Sequence, residues 1–391
     1  EFDDEGDLHR AREFFKASAK WFKAAGDNAK FAEMTVAVAE SFVKEAEARI
    51  ESDKPSHMAA ASFYEDAIQT YRTIPRSERP IHREDERLKE LQLRLNESGT
   101  RALDEMGIIS APSIDLSLII EDARNSVHGK STIEALKAFV NLHPYSKVKE
   151  LRQQVIEKIQ KYPLQAIIPG IVMGRDGRVT AKRPGMSLSD TPSEDNEIGI
   201  RAEMIHDHEI MIGMVIQGRI LPALEVLLLE HRLREVDFIY LASQSPIVPK
   251  GRERLFGMAL FAGYDYDFVT ALHFLVPQIE HMVRFHLKSA GVKTTTLDGK
   301  GIETENGLST LMDLPECETI FGEDLTFEIQ ALFCDAFGPN LRNELAHGLL
   351  DDRACQSAYA IYAWWLCLKL VFNMFWNATH KIDGSSGEAA A

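Results

Sequence analysis

Cysteine is scarce in this chain: four residues in 391, at positions 317, 334, 355 and 367, all in the last quarter. Their spacings leave no CxxC pair, which excludes a zinc ribbon and a disulfide-stapled framework. Reduced, packed thiols are expected instead. Positive charge is also short. Lys and Arg number 44 against 60 Asp and Glu, a net charge of -16, which argues against polyanion binding over the whole surface but leaves room for a small site that grips one phosphate. The stretch EFDDEGDLHR is acidic and has no apolar core, so no secretory signal is expected in it. Long apolar runs are nearly absent. Ala358 to Trp376 comes closest, but it carries Lys369 and Asn373 near its centre, so a buried last helix is expected rather than stable membrane insertion, and a cytoplasmic location with it. There is no Walker lysine and no GxGxxG after a strand. No cofactor and no metal are expected. What remains is 45% hydrophobic and 27% charged, an ordinary globular composition with length for two or three domains.

The apolar spacing is predominantly helical, and the expected fold is mainly α. Residues 1–161 read as a helical scaffold or regulatory region. AREFFKASAKWFKAAG and AKFAEMTVAVAESFVKEAEARI are parted by Gly26-Asp27-Asn28, and MAAASFYEDAIQTYRTIP closes at Pro75. Short turns between helix pairs resemble tetratricopeptide-like hairpins, although no clean 34-residue period is present. Residues 162–262 form a connecting region. It opens with a small β-hairpin around Asp176-Gly177, continues through a polar loop at 187–197 in which Ser193 caps the next helix, and is then helical. Residues 263–380 read as a helical bundle: a long helix ending at Gly291, a glycine- and threonine-rich loop, shorter helices and the aromatic last helix. Residues 381–391 read as a flexible tail.

The chemistry-bearing residues are in GPNLRNELAHG. Pro339 cannot lie inside a helix and Asn340 is a favourable N-cap, so a helix is expected to start there. Asn343 and His347, four apart, share one face. Arg342 lies about 140° round the helix from His347 at 100° per residue, within reach of a long side chain. An arginine fork, an amide and a histidine that can carry or release a proton suit a phosphate.

Other clusters carry less. Arg124-Asn125-Ser126-Val127-His128 has an arginine-to-histidine spacing one residue shorter and reads as a helix end before Gly129. His206-Asp207-His208-Glu209 reads as a solvated polar face, since residues two apart on a helix point apart. His281 and His286 lack the HExxH spacing of a metalloprotease. Glu280 and Arg284, four apart on the long helix, read either as a pair that positions the arginine–histidine site or as an ordinary surface ion pair.

Arg342-Asn343-Glu344-Leu345-Ala346-His347 is similar to the ribonuclease signature of HEPN domains (higher eukaryotes and prokaryotes nucleotide-binding). The longer run LVPQIEHMVR…GIETENGLSTLMDL…GEDLTFEIQALFCDAFGPNLRNELAHGLL resembles one uncharacterised HEPN-related family, defined by an RNxxxH motif, which includes the endoplasmic reticulum membrane-associated RNA degradation protein. The resemblance covers residues 264–378. It implies a HEPN-like helical bundle acting as a metal-independent endoribonuclease on tRNA or mRNA, with two motifs lining one cleft in a homodimer. Carried over, His347 assists attack of the 2′-hydroxyl or protonates the leaving oxygen, Arg342 stabilises the phosphorane and Asn343 orients one of them, with Glu280, Arg284 and Asn340 in support. Such domains serve as toxins or in defence against phage, which would make the N-terminal helices the place for a regulatory protein partner. A non-catalytic RNA- or nucleotide-binding module and a protein-interaction scaffold are the other readings. Residues 264–380 hold 16 acidic and 7 basic side chains, a net of -9, so RNA binding there requires clustered cations.

Overall fold

The computed structural model describes residues 7–107, 114–187 and 193–385. About 70% of the chain is helical and 4% is strand, the strands forming two small antiparallel pairs. The chain divides into two compact units.

The first unit comprises residues 1–112 and 171–182. Its helices are α1 (Leu8–Ala24), α2 (Asn28–Glu51), α3 (His57–Arg72) and α4 (Glu84–Glu105), each packed on the next. Asp7, Asp27 and Ser56 cap the first three by accepting a backbone N–H three residues on. Small residues on facing turns (Ala32, Ala39, Ala46, Ala60, Ala67) bring the helices close, and Tyr64, Ile68, Tyr71 and Leu91 fill between them. The expected hairpin consists of β1 (Gly170–Met173) and β2 (Val179–Arg183). Its turn glycine, Gly177, takes φ +81, and a Cβ there would lie 2.3 Å from the Gly99 backbone of α4. Only glycine permits that approach.

The second unit comprises residues 113–170 and 183–391. It contains α5 (Ser117–Val127), α6 (Thr132–Val140), α7 (Val148–Lys161), α8 (Pro163–Ile167), α9 (Glu194–Val215), a π-helical turn at Ile216–Ile220, α10 (Leu221–Glu230), α11 (Glu235–Gln244), α12 (Glu253–Tyr264) and α13 (Phe268–Ser289). A second hairpin, β3 (Thr295–Leu297) and β4 (Glu303–Glu305), precedes α14 (Leu308–Met312), α15 (Glu316–Phe321), α16 (Glu323–Phe333), α17 (Leu341–Ala346), α18 (Asp352–Cys355) and α19 (Ala358–Ser385).

This partition differs from division at residues 161 and 262. The first hairpin groups with α1–α4 rather than with the helices that follow it. The apolar faces of α5 and α6 (Val127, Leu136, Phe139, Val140) join one core with Leu224, Phe256, Phe268, Leu272, Trp364 and Phe372. Helical periodicity marks a buried face without naming its partner, so these two helices read like α1–α4 although they pack elsewhere.

The last helix is the centre of that core: Tyr362, Trp364, Trp365, Leu366, Leu368 and Phe372 are fully buried. By length and composition alone, Ala358–His380 and Glu194–Glu230 could each cross a membrane, and most of the first of these is buried within the fold. The helix continues to Ser385, so it takes in the first residues of the expected flexible tail. The rest of that tail (386–391), like 188–192 of the polar loop, lies outside the described residues. Ser193 does cap α9, accepting the Asn196 N–H at 3.1 Å. Among the described residues all four cysteines are free, and Cys317, Cys355 and Cys367 are buried.

Candidate functional site

Three elements of the second unit assemble the RNxxxH segment. The six-residue α17 packs on α13 and α16, anchored by Leu341, which is 2% exposed, and by Leu345, four residues on. Asn340 occupies the N-cap position, but its side chain does not cap. The residue adopts the left-handed region, φ +46 and ψ +41, and its Oδ1 is buried without a hydrogen-bond partner among the described residues. Asparagine tolerates this conformation better than most residues, and here it turns the chain sharply after Pro339. The helix also stops early. Gly348 (φ +67) donates to the Leu345 carbonyl at 3.1 Å, and Leu349 donates to Glu344 at 2.8 Å, which together form a Schellman stop. His347 is therefore the C-cap residue, and its N–H bonds the Asn343 carbonyl at 3.0 Å.

Arg342 is held by a carboxylate from α13. Its Nε donates to Glu280 Oε2 at 3.0 Å and its Nη1 to Asn343 Oδ1 at 3.2 Å. Glu280 Oε2 also accepts the Leu308 N–H at 3.2 Å, and Oε1 accepts Arg284 Nη2 at 2.7 Å. Arg284 Nη2 donates in addition to the Asn306 carbonyl at 2.7 Å, and its Nε lies 3.2 Å from Glu305 Oε2 without hydrogen-bond alignment. Lys288 bonds the other Glu305 oxygen. Burial works against the charged form of Glu280, but the bonds from Arg284 and Arg342 outweigh it and hold the carboxyl below its usual range. Gly307 leaves room for the guanidinium, since a Cβ there would sit 3.0 Å from Arg342 Nη2.

Arg342, Asn343, Glu280 and Arg284 thus belong to one network. Glu280 bonds Arg342 as well as Arg284, so the Glu280–Arg284 pair is not an isolated surface ion pair. His347 stands outside. It is exposed at the other end of α17, and no described residue hydrogen-bonds its ring. Asn340 contributes its carbonyl, which accepts the N–H groups of Asn343 and Glu344, at 3.0 and 3.1 Å.

A second polar cluster corrects the reading of His206–Glu209 as a solvated face. His208 is 2% exposed, and its Nε2 lies 2.9 Å from Oε2 of Glu328, which is wholly buried. Glu328 Oε1 accepts the Ser146 N–H at 2.8 Å and the Tyr362 hydroxyl at 3.4 Å. Burial disfavours the Glu328 anion, yet the bonds from His208 and Ser146 keep it below the usual carboxylate range. Lys369 of α19 bonds the His143 carbonyl and lies 4.6 Å from the Tyr145 ring centroid. Burial pushes its ammonium down to about 8. The cluster joins α9, α16, α19 and the segment ahead of α7 inside the core. The sequence offered one signal for it: lone polar residues, Glu328 and Lys369, within otherwise apolar helical faces. Asp207 and Glu209 do not share it, for Asp207 pairs with Lys158 at 2.7 Å on the surface, and half-burial raises Glu209 to about 7.

Arg124 and His128 at the end of α5 pair with Glu225 and Glu230, so the shortened look-alike is a helix end, as its spacing indicates. No family model, curated protein or solved structure matches the chain.

Proposed function

We propose that this protein is a metal-independent endoribonuclease of the HEPN type, cleaving RNA by attack of the 2′-hydroxyl on the adjacent phosphate. The observation that carries the reading is the Arg342 guanidinium, half-exposed and fixed from behind by Glu280 and Asn343, with a solvent-facing histidine at the end of the same short helix. A guanidinium oriented by a carboxylate is suited to charge that develops on a phosphorane, because it needs little reorganisation when that charge appears. His347 is free to move a proton: it takes one from the 2′-hydroxyl or gives one to the departing 5′-oxygen. The products are a 2′,3′-cyclic phosphate and a 5′-hydroxyl, and DNA is refused for want of the attacking group. His347 and Arg342 are not hydrogen-bonded to each other, which fits a cleft completed by a second copy of the chain. A toxin or phage-defence role in the cytoplasm, with a protein partner on α1–α4, belongs to the same proposal.

The test is incubation of the full chain with tRNA and total RNA in EDTA, beside Arg342→Ala and His347→Ala. Cleavage that leaves cyclic-phosphate ends and is lost in both variants is expected. Cleavage that persists in both, or products ending in 3′-hydroxyls, overturns the mechanism. The lack of a hydrogen-bond partner for the His347 ring among the described residues favours one other reading, a phosphate-binding module without catalysis. RNA binding by the wild type with no cleavage under any condition selects it.

A further inference from the structure

The part of α13 beyond Glu280 carries a feature that the motif does not explain. His281, Arg284, Phe285 and Lys288 recur at helical spacing along one side of the helix. With Ser289 and Glu305 of β4 they line an open depression of about 450 Å³, within the roughly 300–1,000 Å³ typical of small-ligand sites. It is linked to the arginine site through Glu280, whose two carboxylate oxygens bond Arg284 and Arg342. Phe285 is 39% exposed although its helix neighbours Met282, Val283 and Leu287 are buried. Charge is inverted here relative to the whole chain. The lining carries Arg284 and Lys288 against the single carboxylate of Glu305, in a protein of net charge -16. Burial, then the charges of Arg252, Arg284 and Lys288, push the His281 imidazole below its usual range.

We propose that this depression is a nucleotide subsite for single-stranded RNA, in which Phe285 stacks on a base and Lys288 with Arg284 takes the phosphate next to the one presented to Arg342. This deepens the ribonuclease reading and rests on it. An exposed aromatic ring flanked by cations is the recognition unit of single-strand binders, tolerant of sequence because every base offers a π face. Glu305 occupies the anion position of the site. It pairs with both Arg284 and Lys288 from a short two-stranded hairpin, so an incoming phosphate must displace it, and the hairpin weakens binding until it does.

The experiment uses the full chain and a fluorescent single-stranded RNA of about 12 nucleotides, within the roughly 4–16 that such sites span. Its 2′-O-methyl sugars block cleavage, so anisotropy reads affinity alone. An unmodified copy is assayed in parallel for cleavage. Phe285→Ala and Lys288→Ala are each expected to weaken binding roughly fivefold, Phe285→Trp to restore it, and Glu305→Gln to tighten it roughly threefold with unchanged thermal midpoints. Wild-type affinity in Phe285→Ala and Lys288→Ala, with the unmodified RNA still cut, overturns the subsite and leaves the nuclease standing. Weaker binding by Glu305→Gln overturns the gating role of the hairpin. Neither binding nor cleavage by any form overturns the ribonuclease reading and the subsite with it.

Discussion

Glu328 and Glu280 lie in the same unit, and each draws basic and backbone donors round one carboxylate, yet the two networks differ in what they can do. Glu328 is sealed on every side, and His208, Ser146 and Tyr362 use up its oxygens within the core. Glu280 and the Arg342 it holds keep 20% and 30% of their side-chain surface open to solvent. A buried carboxylate with all its partners supplied by the fold orders the helices that supply them. A carboxylate that fixes an arginine while leaving part of it accessible orients a charge toward solvent. The lesson is that a cluster of titratable groups alone does not locate a site. What locates it is the unspent hydrogen-bonding capacity that faces water.

The largest expected effect tests the sealed side. Glu328→Ala leaves a buried histidine, a tyrosine hydroxyl and an N–H without partners and is expected to cost about 3–5 kcal/mol, read by urea unfolding. The partly exposed counterpart, Glu280→Gln, is expected to cost no more than about 1 kcal/mol, because solvent screens a half-open pair. Equal losses would erase the distinction. On the open side, Arg342→Ala is expected to lower RNA cleavage by roughly 100-fold or more with little change in unfolding midpoint. A large fall in stability would return Arg342 to the scaffold.

Lys369 sharpens the comparison through pH. Its folded value, about 8, is below the ordinary 10.5, so the unfolded chain holds the proton more tightly between those values. Folding stability contributed by this group therefore rises as pH climbs from 8 toward 10.5, by at most about 1.4 kcal/mol per pH unit. Subtracting the pH profile of Lys369→Met from that of the wild type isolates the slope, and identical profiles would show that the ammonium is not desolvated. The smallest effect is at Gly307. Its φ of -73 suits alanine, so Gly307→Ala is expected to leave stability nearly unchanged. The added methyl displaces the Arg342 guanidinium, and cleavage falls roughly threefold to tenfold. Unaltered cleavage would mean that the position of Arg342 is not critical.

Much of the architecture was legible. Pro75, Gly291, Ser193 and the Asp176-Gly177 turn mark their elements because caps and turns depend on residues within a few positions of one another. The β3–β4 hairpin was readable by the same rule, with Asp298-Gly299 set between threonine-rich runs, but the segment reads first as a loop because its glycines outnumber its apolar residues. Gly348 was likewise a readable helix stop, and it explains why α17 spans only six residues and leaves His347 at its end. The left-handed Asn340 was not readable, since asparagine serves equally as a conventional N-cap.

The sequence by itself determined the mainly helical class, the packed thiols and the RNxxxH spacing of Arg342, Asn343 and His347, because these depend on residue type and short spacing. Tertiary structure alone decided that α5 and α6 share a core with α19, that His208 turns inward to Glu328, and that Glu280 reaches across 62 positions to Arg342. Periodicity specifies which face of a helix avoids water. Which surface covers that face, and which carboxylate meets which arginine, is settled by packing among residues far apart in the chain, where local spacing carries no information.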